Sequence, residues 1–582
     1  MDKEILHTVR SVMGCMLVTA LAAGCAQEDI GNDPSEGGGM SATSYVSLSF
    51  ASQQGTPTRA NPTGPTGGEE GDGLETGQDY ENAITSAVAF FYQGTDQKGV
   101  NSGGNTPIKA VVSFNNIGNG TDENSTGVDR KYTTSPQQVD LDDGTYNVLV
   151  VANPGADWWT GQSLTLADVR NHIQTTAWTA SGSGYSNFVM TSAADATLTL
   201  ESNSEDDPAT ATVDVERMAA RLDYKTTGTY KCDDPAYTGA TVKITGAALV
   251  NNLTAGSYLL KRVADDVNGT NWSYLGDETA DENGVATNYV LDPWTAAKTS
   301  TKNSFTIGGE TKTAEDLYGE WFGNISQDPN YWADYVQPGD GTETWQRIGY
   351  TLENTTAAEE AGKRYSTGVV FKAKFHPKGV ANYTDGETFF EYGTKIYASM
   401  ENMMKNFYGS KFDELDDLIK KCATWGDVKQ FITSTLLTND PSGYNKYLEG
   451  LAEGKDDTGA VSDASSLIWS NYMLNECGYS KDENGKVVLD QNGKVTRIAL
   501  KPYGTRTYED ATCYYTWWVR HSNDNDDTKK GIMEYAIVRN NIYKLTVESV
   551  YSLGGEVPDD ESLIVDVYVN DWLLLDNETL PM

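Results

Sequence analysis

The run that begins at residue 563 most constrains the fold, because apolar and more polar residues alternate along it. Its two faces carry Leu563, Val565, Val567 and Val569 on one side, and Ile564, Asp566, Tyr568 and Asn570 on the other. Trp572 and Leu574 extend its apolar character. A period of two in β-branched and aromatic residues predicts a β-strand with one strongly apolar face. Such a face needs a groove that removes it from water.

The segment before this strand is rich in turn residues. They are Gly554, Gly555, Pro558, Asp559 and Asp560. Because these residues have little capacity to pack, we expect a hinge that lets the terminal arm, residues 563–582, swing away from its domain. Two interpretations stay open on these residues alone. The groove belongs to the arm's own domain, or it belongs to another molecule.

The amino terminus has the pattern of an export signal. Lys3 and Arg10 precede a short apolar run at 12–21, which is too short to span a bilayer as a mature helix. The run ends in Leu21-Ala22-Ala23-Gly24-Cys25, which matches the bacterial lipobox. We therefore expect a signal peptide at 1–24 and a diacylglycerol on the Cys25 thiol, which anchors the precursor to a membrane. The alternative is a plain signal peptide with an incidental cysteine.

A predicted strand and an exposed loop follow. In residues 44–50 the side chains of Val46, Leu48 and Phe50 form one apolar face, which is typical of a half-buried strand. Residues 55–79 are rich in Pro, Gly and Glu, so we expect a mobile segment that a protease can reach. Arg59 lies in this loop, ahead of Ala60, and is the only basic residue between Arg10 and Lys98. Cleavage after Arg59 would detach the strand at 44–50 and leave a vacated groove. The alternative is a simply solvated arginine.

Charge and composition exclude several functional classes. The chain has 83 acidic and 43 basic residues, a net charge of -40, and its 582 residues predict two or three domains. Such a field repels phosphate backbones, so we expect no nucleic-acid partner. The many glycines (57) and tyrosines (33) are typical of an all-β extracellular protein.

Further elements are predicted from periodicity and turn signals. Strands are expected at 84–92, 144–153, 209–215, 240–250, 368–375, 513–520, 533–538 and 541–550. A helix is expected at 163–173 with Ser163 as N-cap, and another from Ser410 to about residue 437. Asn-Gly pairs at 484–485 and 492–493 predict hairpins. Strands interrupted by short helices fit two β-sandwich domains, with the first boundary near residue 217.

No pattern of catalytic or metal-binding residues is found, so we expect neither an enzyme nor a cofactor. His172, His376 and His521 have no partner spacing and are interpreted as surface or turn residues. The loop at 523–527 could offer oxygen ligands to calcium, but it lacks the EF-hand glycine and glutamate and is interpreted as solvated. Aromatic residues at 514–518 could stack on sugars, although strand alternation favours the core for about half of them.

The cysteines show no CxxC pair and no ligand spacing to histidine, so a structural zinc site is not expected. After Cys25 the chain has Cys232, Cys422, Cys477 and Cys513. Sequence leaves open whether these four are free or paired.

Several of these landmarks occur together, and in this order, in one family. They are the lipobox, the early strand, the Arg-Ala site, VERMAARLD (215–223), GVVFKAKFHPKG (368–379), YAIVRNNIYKLTVESVYSLG (535–554) and VDVYVNDW (565–572). The chain resembles the fimbrillins of the Bacteroidales, the type V pilins, and among them the major subunits of short Porphyromonas fimbriae. The segments 251–365 and 395–500 match loosely.

The resemblance implies two tandem transthyretin-like β-sandwich domains, at 60–217 and 218–562, with a helical insertion at about 395–440. It implies an outer-membrane lipoprotein precursor with Cys25 lipidated, a propeptide at 25–59, and cleavage between Arg59 and Ala60 by an arginine-specific protease. It further implies that the arm at 563–582 is a donor strand that polymerises with other copies and accessory fimbrial subunits. Adhesion to a host or bacterial surface receptor and biofilm formation follow from the same resemblance.

Two other functions remain possible on the sequence. A fimbrial tip or accessory adhesin would use the insertions at 251–365 and 395–500 as a binding face. A monomeric glycan-binding surface lipoprotein would keep the strand at 44–50 in place.

Overall fold

The computed structural model describes the chain in segments. These are 43–52, 74–94, 105–118, 121–122, 130–181, 184–253, 256–269, 272–276, 278–281, 285–298, 304–307, 310–313, 345–357, 365–399, 402–403, 405–406, 505–522, 530–556 and 563–573. Within them β-strands dominate and the two α-helices are short, so the all-β prediction is confirmed.

Up to residue 217, the described residues contain fourteen strands and two α-helices. Strands β1 to β14 are Thr43–Ser52, Leu74–Thr76, Ser86–Tyr92, Ala110–Asn115, Thr121–Asp122, Arg130–Thr133, Gln137–Asp140, Gly144–Ala152, Ile173–Gln174, Thr179–Ser181, Gly184–Ser186, Met190–Ser192, Ala196–Leu200 and Ala209–Arg217. Helices α1 and α2 are Asp79–Asn82 and Leu166–Asn171.

From residue 220 onward, the described residues add seventeen strands and three short 3₁₀ turns. Strands β15 to β31 are Ala220–Lys225, Thr229–Lys231, Thr241–Val250, Ser257–Tyr258, Arg262–Ala264, Trp272–Tyr274, Tyr289–Val290, Ser304–Ile307, Glu310–Thr313, Gln346–Thr351, Gly368–His376, Phe389–Tyr392, Lys395–Tyr397, Thr505–Tyr508, Thr512–Trp518, Asn541–Val550 and Leu563–Leu573. The 3₁₀ turns are Pro235–Tyr237, Thr295–Lys298 and Glu509–Ala511.

The amino-terminal strands form one ten-stranded sheet. Its order is β4-β3-β8-β12-β14-β1-β6-β5, with β13 paired to β8 and β7 paired to β1. Apolar residues from both ends of the sheet share one core, which includes Phe91, Val148, Val150, Val213 and Phe50. The sheet therefore folds over itself, and β1 lies in its interior.

The carboxy-terminal strands form a sandwich of two sheets. One sheet has the order β2-β31-β30-β15-β24 and the other β16-β17-β25-β29. Leu222 and Leu545 from the first sheet share a core with Ile244, Phe371 and Tyr515 from the second. The terminal strand β31 is therefore the second strand of its own chain's sheet, next to β30.

The two groups of strands are joined without a linker, because β14 ends at Arg217 and β15 begins at Ala220. A further hydrophobic core is formed by side chains from between residues 88 and 365, among them Phe90, Leu253 and Trp294. Ala42–Met582 forms one compact unit. The boundary between two domains at 217–218 therefore stays a prediction.

Most predicted strands are present with bounds shifted by one or two residues, and two predictions are wrong. Residues 533–538 do not form a strand: 533–535 lie in a turn, with Met533 at a φ of 60°, and Ile537 makes only an isolated bridge to Asn354. The helix begins after Thr165 instead of Ser163, because the Thr165 hydroxyl accepts a hydrogen bond from the Asp168 amide and forms a capping box. The predicted helix from Ser410 and the hairpins at 484–493 lie outside the described residues.

Candidate strand-exchange site

Strand β1 is fully built into the amino-terminal sheet. It runs parallel to β14, from the Val46–Ala209 pair to the Ser52–Val215 pair. Its other edge pairs antiparallel with β6 and β7, through Phe50–Tyr132 and Val46–Gln137 among others. Removing β1 would therefore leave a slot with a strand on either side.

The three residues singled out on this strand all face the core. Val46, Leu48 and Phe50 are 0%, 0% and 1% exposed. Burying three such side chains contributes about 1.5–3 kcal/mol each. The same sheet positions would need an apolar replacement if β1 were lost.

Polar contacts also fix the register of β1. Leu48 donates its amide to the Thr134 hydroxyl at 2.9 Å, and the Thr134 amide donates to the Leu48 carbonyl at 2.9 Å. Ser47 Oγ lies 2.7 Å from Thr210 Oγ1. Ser44 Oγ is buried with no hydrogen-bond partner among the described residues. A buried hydroxyl without a partner costs about 1–3 kcal/mol, so β1 is an imperfect occupant of its slot.

The terminal strand β31 pairs with its own chain. It runs antiparallel to β30 from the Leu563–Val550 pair to the Asp571–Asn541 pair, with a bulge between Val547 and Ser549. The predicted donor residues 563, 565, 567, 569 and 572 lie on this strand, whereas Leu574 lies outside the described residues. In the single chain the groove is thus part of the arm's own domain, which is the first of the two interpretations left open by the sequence.

The predicted hinge is tighter at its start than its composition suggests. Tyr514 and Gly555 exchange two backbone hydrogen bonds, at 3.0 and 2.9 Å. A Cβ on Gly554 would lie 2.5 Å from the Tyr514 carbonyl oxygen, so this glycine permits a close approach instead of free rotation. The expectation of a loosely packed hinge at 554–555 is therefore wrong. Pro558 to Asp560 lie outside the described residues.

The VERMAARLD run forms a buried charge cluster where the two groups of strands meet. Arg217 donates through Nε to the Glu81 carbonyl at 3.1 Å and also contacts Asn82 and Asn540. Arg221 pairs with three carboxylates: Asp223 at 2.8 Å, Glu81 at 3.0 Å and Glu75 at 2.6 Å. From the sequence this run could be identified only as a family signature, because most of the residues that its arginines contact are far away in the chain.

The second signature run, around Arg539, supplies another buried ion pair. The Arg539 guanidinium binds Glu353 through two hydrogen bonds of 2.7 Å and also donates to the Leu259 and Tyr258 carbonyls. Burial raises the pKa of Glu353, and the Arg539 charge opposes that effect. This buried pair positions the turn ahead of β30.

The histidine predictions are mixed. His521 is 2% exposed and lies within hydrogen-bond distance of Tyr543 Oη (2.9 Å) and Glu278 (2.7 Å), so its interpretation as a surface residue is wrong. His376 pairs with the exposed Asp385, and His172 stacks on Trp158 with ring centroids 4.0 Å apart. No set of three metal-ligating side chains occurs within the described part of the chain.

Two cysteines and two of the aromatic residues at 514–518 lie in or against the core of the carboxy-terminal sandwich. Cys232 and Cys513 are free and buried, whereas Cys422 and Cys477 lie outside the described residues. Tyr515 is fully buried, whereas Tyr514, Trp517 and Trp518 are half-buried, so burial alternates over 513–516 but not at 517–518.

The export features cannot be placed in the fold. Cys25, Arg59 and Ala60 lie outside the described residues, as does the loop at 523–527. Among the helices that are described, none has the length and apolar character needed to cross a bilayer.

Residues 506–578, which contain strands β29 to β31, match the family described as major fimbrial subunit protein type IV, fimbrillin, C-terminal. The chain has a fimbrillin C-terminal region. The family assignment made from the sequence is confirmed over these residues, which include the terminal strand and its partner β30. No significant match was found among curated proteins.

Several solved structures have some similarity to this chain. A putative cell adhesion protein from Parabacteroides distasonis is 12% identical, with a TM-score of 0.36, covering 91% of this chain and 100% of that one. A fimbrilin from Porphyromonas gingivalis is 14% identical, with a TM-score of 0.31, covering 91% and 99%. The tip fimbrial protein Mfa3 from Porphyromonas gingivalis is 9% identical, with a TM-score of 0.30, covering 91% and 100%. At these scores the assignment rests on the family match alone.

Proposed function

We propose that this chain is a structural subunit of a bacterial surface fimbria that polymerises by strand exchange. The precursor is exported, lipidated at Cys25 and held at the outer membrane. An arginine-specific protease cuts between Arg59 and Ala60, and β1 leaves with the propeptide. The terminal strand of one copy then occupies the slot that β1 has left in the next.

The observation that carries the proposal is the placement of β1. This strand is central in its sheet and its apolar face is buried, yet the chain between it and β2 contains the Arg59-Ala60 bond. One cut there separates β1 covalently from every other described strand. The slot between β14 and the β6–β7 edge then exposes apolar surface that a second strand can cover.

The terminal strand has the pattern that this slot requires. Residues 44, 46, 48 and 50 face the core of the sheet, and the apolar residues of the arm have the same spacing at 563, 565, 567 and 569. An apolar residue would thereby replace Ser44, whose buried hydroxyl has no partner among the described residues. The arm can be matched to β1 in the same or the opposite strand direction, with 563, 565, 567 and 569 on positions 44, 46, 48 and 50. In both cases residue 566 takes the position of Ser47, which pairs with Thr210.

The energies suit a slowly dissociating polymer. A strand that buries four apolar side chains gains about 1.5–3 kcal/mol for each. Each backbone hydrogen bond of the ladder contributes roughly 1 kcal/mol net. The arm also gives up its pairing with β30, and removal of β1 supplies the driving force by exposing an apolar slot that the arm then covers.

The remaining partners follow from this assembly. Other copies of the chain and accessory fimbrial subunits bind through the same strand and slot, and the polymer stands on the cell surface. Adhesion to a host or bacterial surface receptor and support of biofilm formation are the expected roles of such a polymer.

Trypsin treatment of the purified precursor tests the proposal. After cleavage we expect a ladder of oligomers on undenatured gels and in size exclusion. Precursor with Arg59→Gln should stay monomeric, and a chain lacking 563–582 should be cut without forming a ladder. Monomers that retain 44–50 after cleavage would instead support the glycan-binding lipoprotein and overturn the fimbrial proposal.

A further inference from the structure

The short strand β2 holds the end of the terminal strand. Its three residues, Leu74–Thr76, pair in parallel with Asp571–Leu573. The β30 ladder reaches only to the Asp571–Asn541 pair, so residues 572 and 573 have β2 as their only strand partner in the described part of the chain. A parallel pairing of three residues is weak by itself.

Glu75 supplies the strength that the short pairing lacks. Its Oε1 lies 2.6 Å from the Arg221 guanidinium and its Oε2 lies 2.6 Å from the Lys544 ammonium. The sheet order is β2-β31-β30-β15, and Lys544 and Arg221 lie on β30 and β15. The ion pairs of Glu75 therefore reach past the terminal strand to the next two strands of the sheet.

The pairs are shielded from water more than ordinary surface pairs. The side chains of Arg221, Lys544 and Glu75 are 6%, 15% and 27% exposed. Partial burial strengthens the attraction between opposite charges, and it makes the loss of one partner costly.

The base of β2 is also fixed. Helix α1 begins at Asp79, and Glu81 accepts a hydrogen bond from the Gln78 amide at 2.7 Å while pairing with Arg221 at 3.0 Å. Arg221 thus binds carboxylates on both sides of the turn that links β2 to α1. Because β2 lies after Arg59, it stays on the chain when that bond is cut.

We propose that β2 is a latch that keeps the terminal strand in its own subunit, with the Glu75 ion pairs to Arg221 and Lys544 as its lock. Opening the latch is a separate step from cleavage, since Glu75, Arg221 and Lys544 all lie after Arg59 and the cut removes none of them. The latch slows release of the arm until a neighbouring slot is available. Its role in assembly rests on the proposed function, whereas its effect within one chain does not.

Hydrogen exchange of the uncleaved, monomeric chain tests the latch directly. With Glu75→Gln, amides in peptides covering 563–573 should exchange roughly tenfold faster than in the wild type, because opening of the strand is no longer opposed by two ion pairs. Glu548→Gln is the matched control, since Glu548 is an exposed carboxylate on β30 itself. It should leave exchange in this region unchanged. Equal exchange in all three proteins would overturn the proposal.

A second variant covers the case in which Glu75→Gln does not fold. Lys544→Gln removes one of the two pairs and leaves the Glu75–Arg221 pair, so we expect a smaller acceleration of exchange in 563–573. No acceleration in a folded Lys544→Gln chain would also contradict the lock.

The two proposals fail in distinguishable ways. After trypsin cleavage, Glu75→Gln should form its ladder several-fold faster than the wild type. Faster hydrogen exchange without any ladder would keep the latch and overturn strand exchange. A ladder formed at the wild-type rate, with unchanged hydrogen exchange, would support strand exchange and overturn the latch.

Discussion

Phe50 pairs with Val213 across two parallel strands, and both side chains are buried in the same core. Phe50 belongs to the segment that the proposed cleavage removes, whereas Val213 would stay in the mature chain. On the proposed function, the precursor is stabilised by a residue that the polymer would lack.

Phe50→Ala should therefore destabilise the precursor but not the polymer. Truncation of a buried phenylalanine costs about 3–5 kcal/mol, measured here as a lower urea midpoint of the uncleaved protein. Thr43→Ala, at an exposed position of the same strand, should change the midpoint little. Polymers assembled from cleaved Phe50→Ala and wild-type chains should resist denaturant equally. A less resistant Phe50→Ala polymer would show that β1 is retained.

Arg217 should be essential for stability. Its guanidinium is buried and bonded to the Glu81 carbonyl, Asn82 and Asn540, so Arg217→Ala leaves these acceptors without their donor. We expect a loss of about 3–5 kcal/mol in the free energy of unfolding. Arg217→Lys should not restore stability, because an ammonium cannot reproduce the planar set of donors. Lys231→Ala, at an exposed site on β16, is the control, and an equal loss there would contradict this account.

The buried thiols should be unreactive in the native protein. Burial raises the pKa of the Cys513 thiol to about 12, and burial also raises the pKa of Cys232. The thiolate is the reactive form, so at pH 8 iodoacetamide should modify both residues only after denaturation. Mass spectrometry of labelled peptides measures this. Modification of Cys513 in the folded protein at the rate of a free thiol would rule out the buried site.

The cap of helix α2 should give a stability contribution that depends on pH. Hydrogen bonds from the Thr165 hydroxyl and amide lower the pKa of Asp168. Because the folded pKa lies below the unfolded one, the contribution is present at neutral pH and is lost as pH falls through the folded value. Thr165→Ala should cost about 1 kcal/mol at pH 7, and the difference from wild type should shrink at pH 3. Urea unfolding at the two pH values checks this, and a difference independent of pH would contradict the role of Asp168.

Local periodicity was sufficient to find the strands on which the account depends. In β1 and β31 the alternation of apolar residues is regular, and the structure contains both strands with bounds close to those expected. The burial of the apolar face of the early strand could therefore be predicted, but the expectation of a half-buried strand is wrong at Ser47 and Ser49, which are buried on the other face. The exact neighbours of this strand could not be predicted, because β14 and β6 are distant in sequence.

The errors arise where distant residues decide the environment. His521 has no local signal of burial, yet Glu278 and Tyr543 enclose it. Gly554 looked like a flexible turn residue, but it is required by close packing against Tyr514. Glu75 pairs with Arg221 and Lys544, and each of these lies more than a hundred residues away along the chain. The latch that we propose could therefore not be predicted from the sequence.

A pair of cysteines at 210 and 566 tests the central claim most directly, because the two positions face each other only if the arm of one copy fills the slot of another. The Cα atoms of residues paired on neighbouring strands lie within the range that a disulfide spans. The cleaved Thr210→Cys, Asp566→Cys chain should form a ladder that survives denaturation without reductant, whereas the Thr210→Cys, Val567→Cys control should crosslink far less. Cleaved chains that assemble without the 210–566 crosslink, or that never assemble, would contradict strand exchange into the β1 slot.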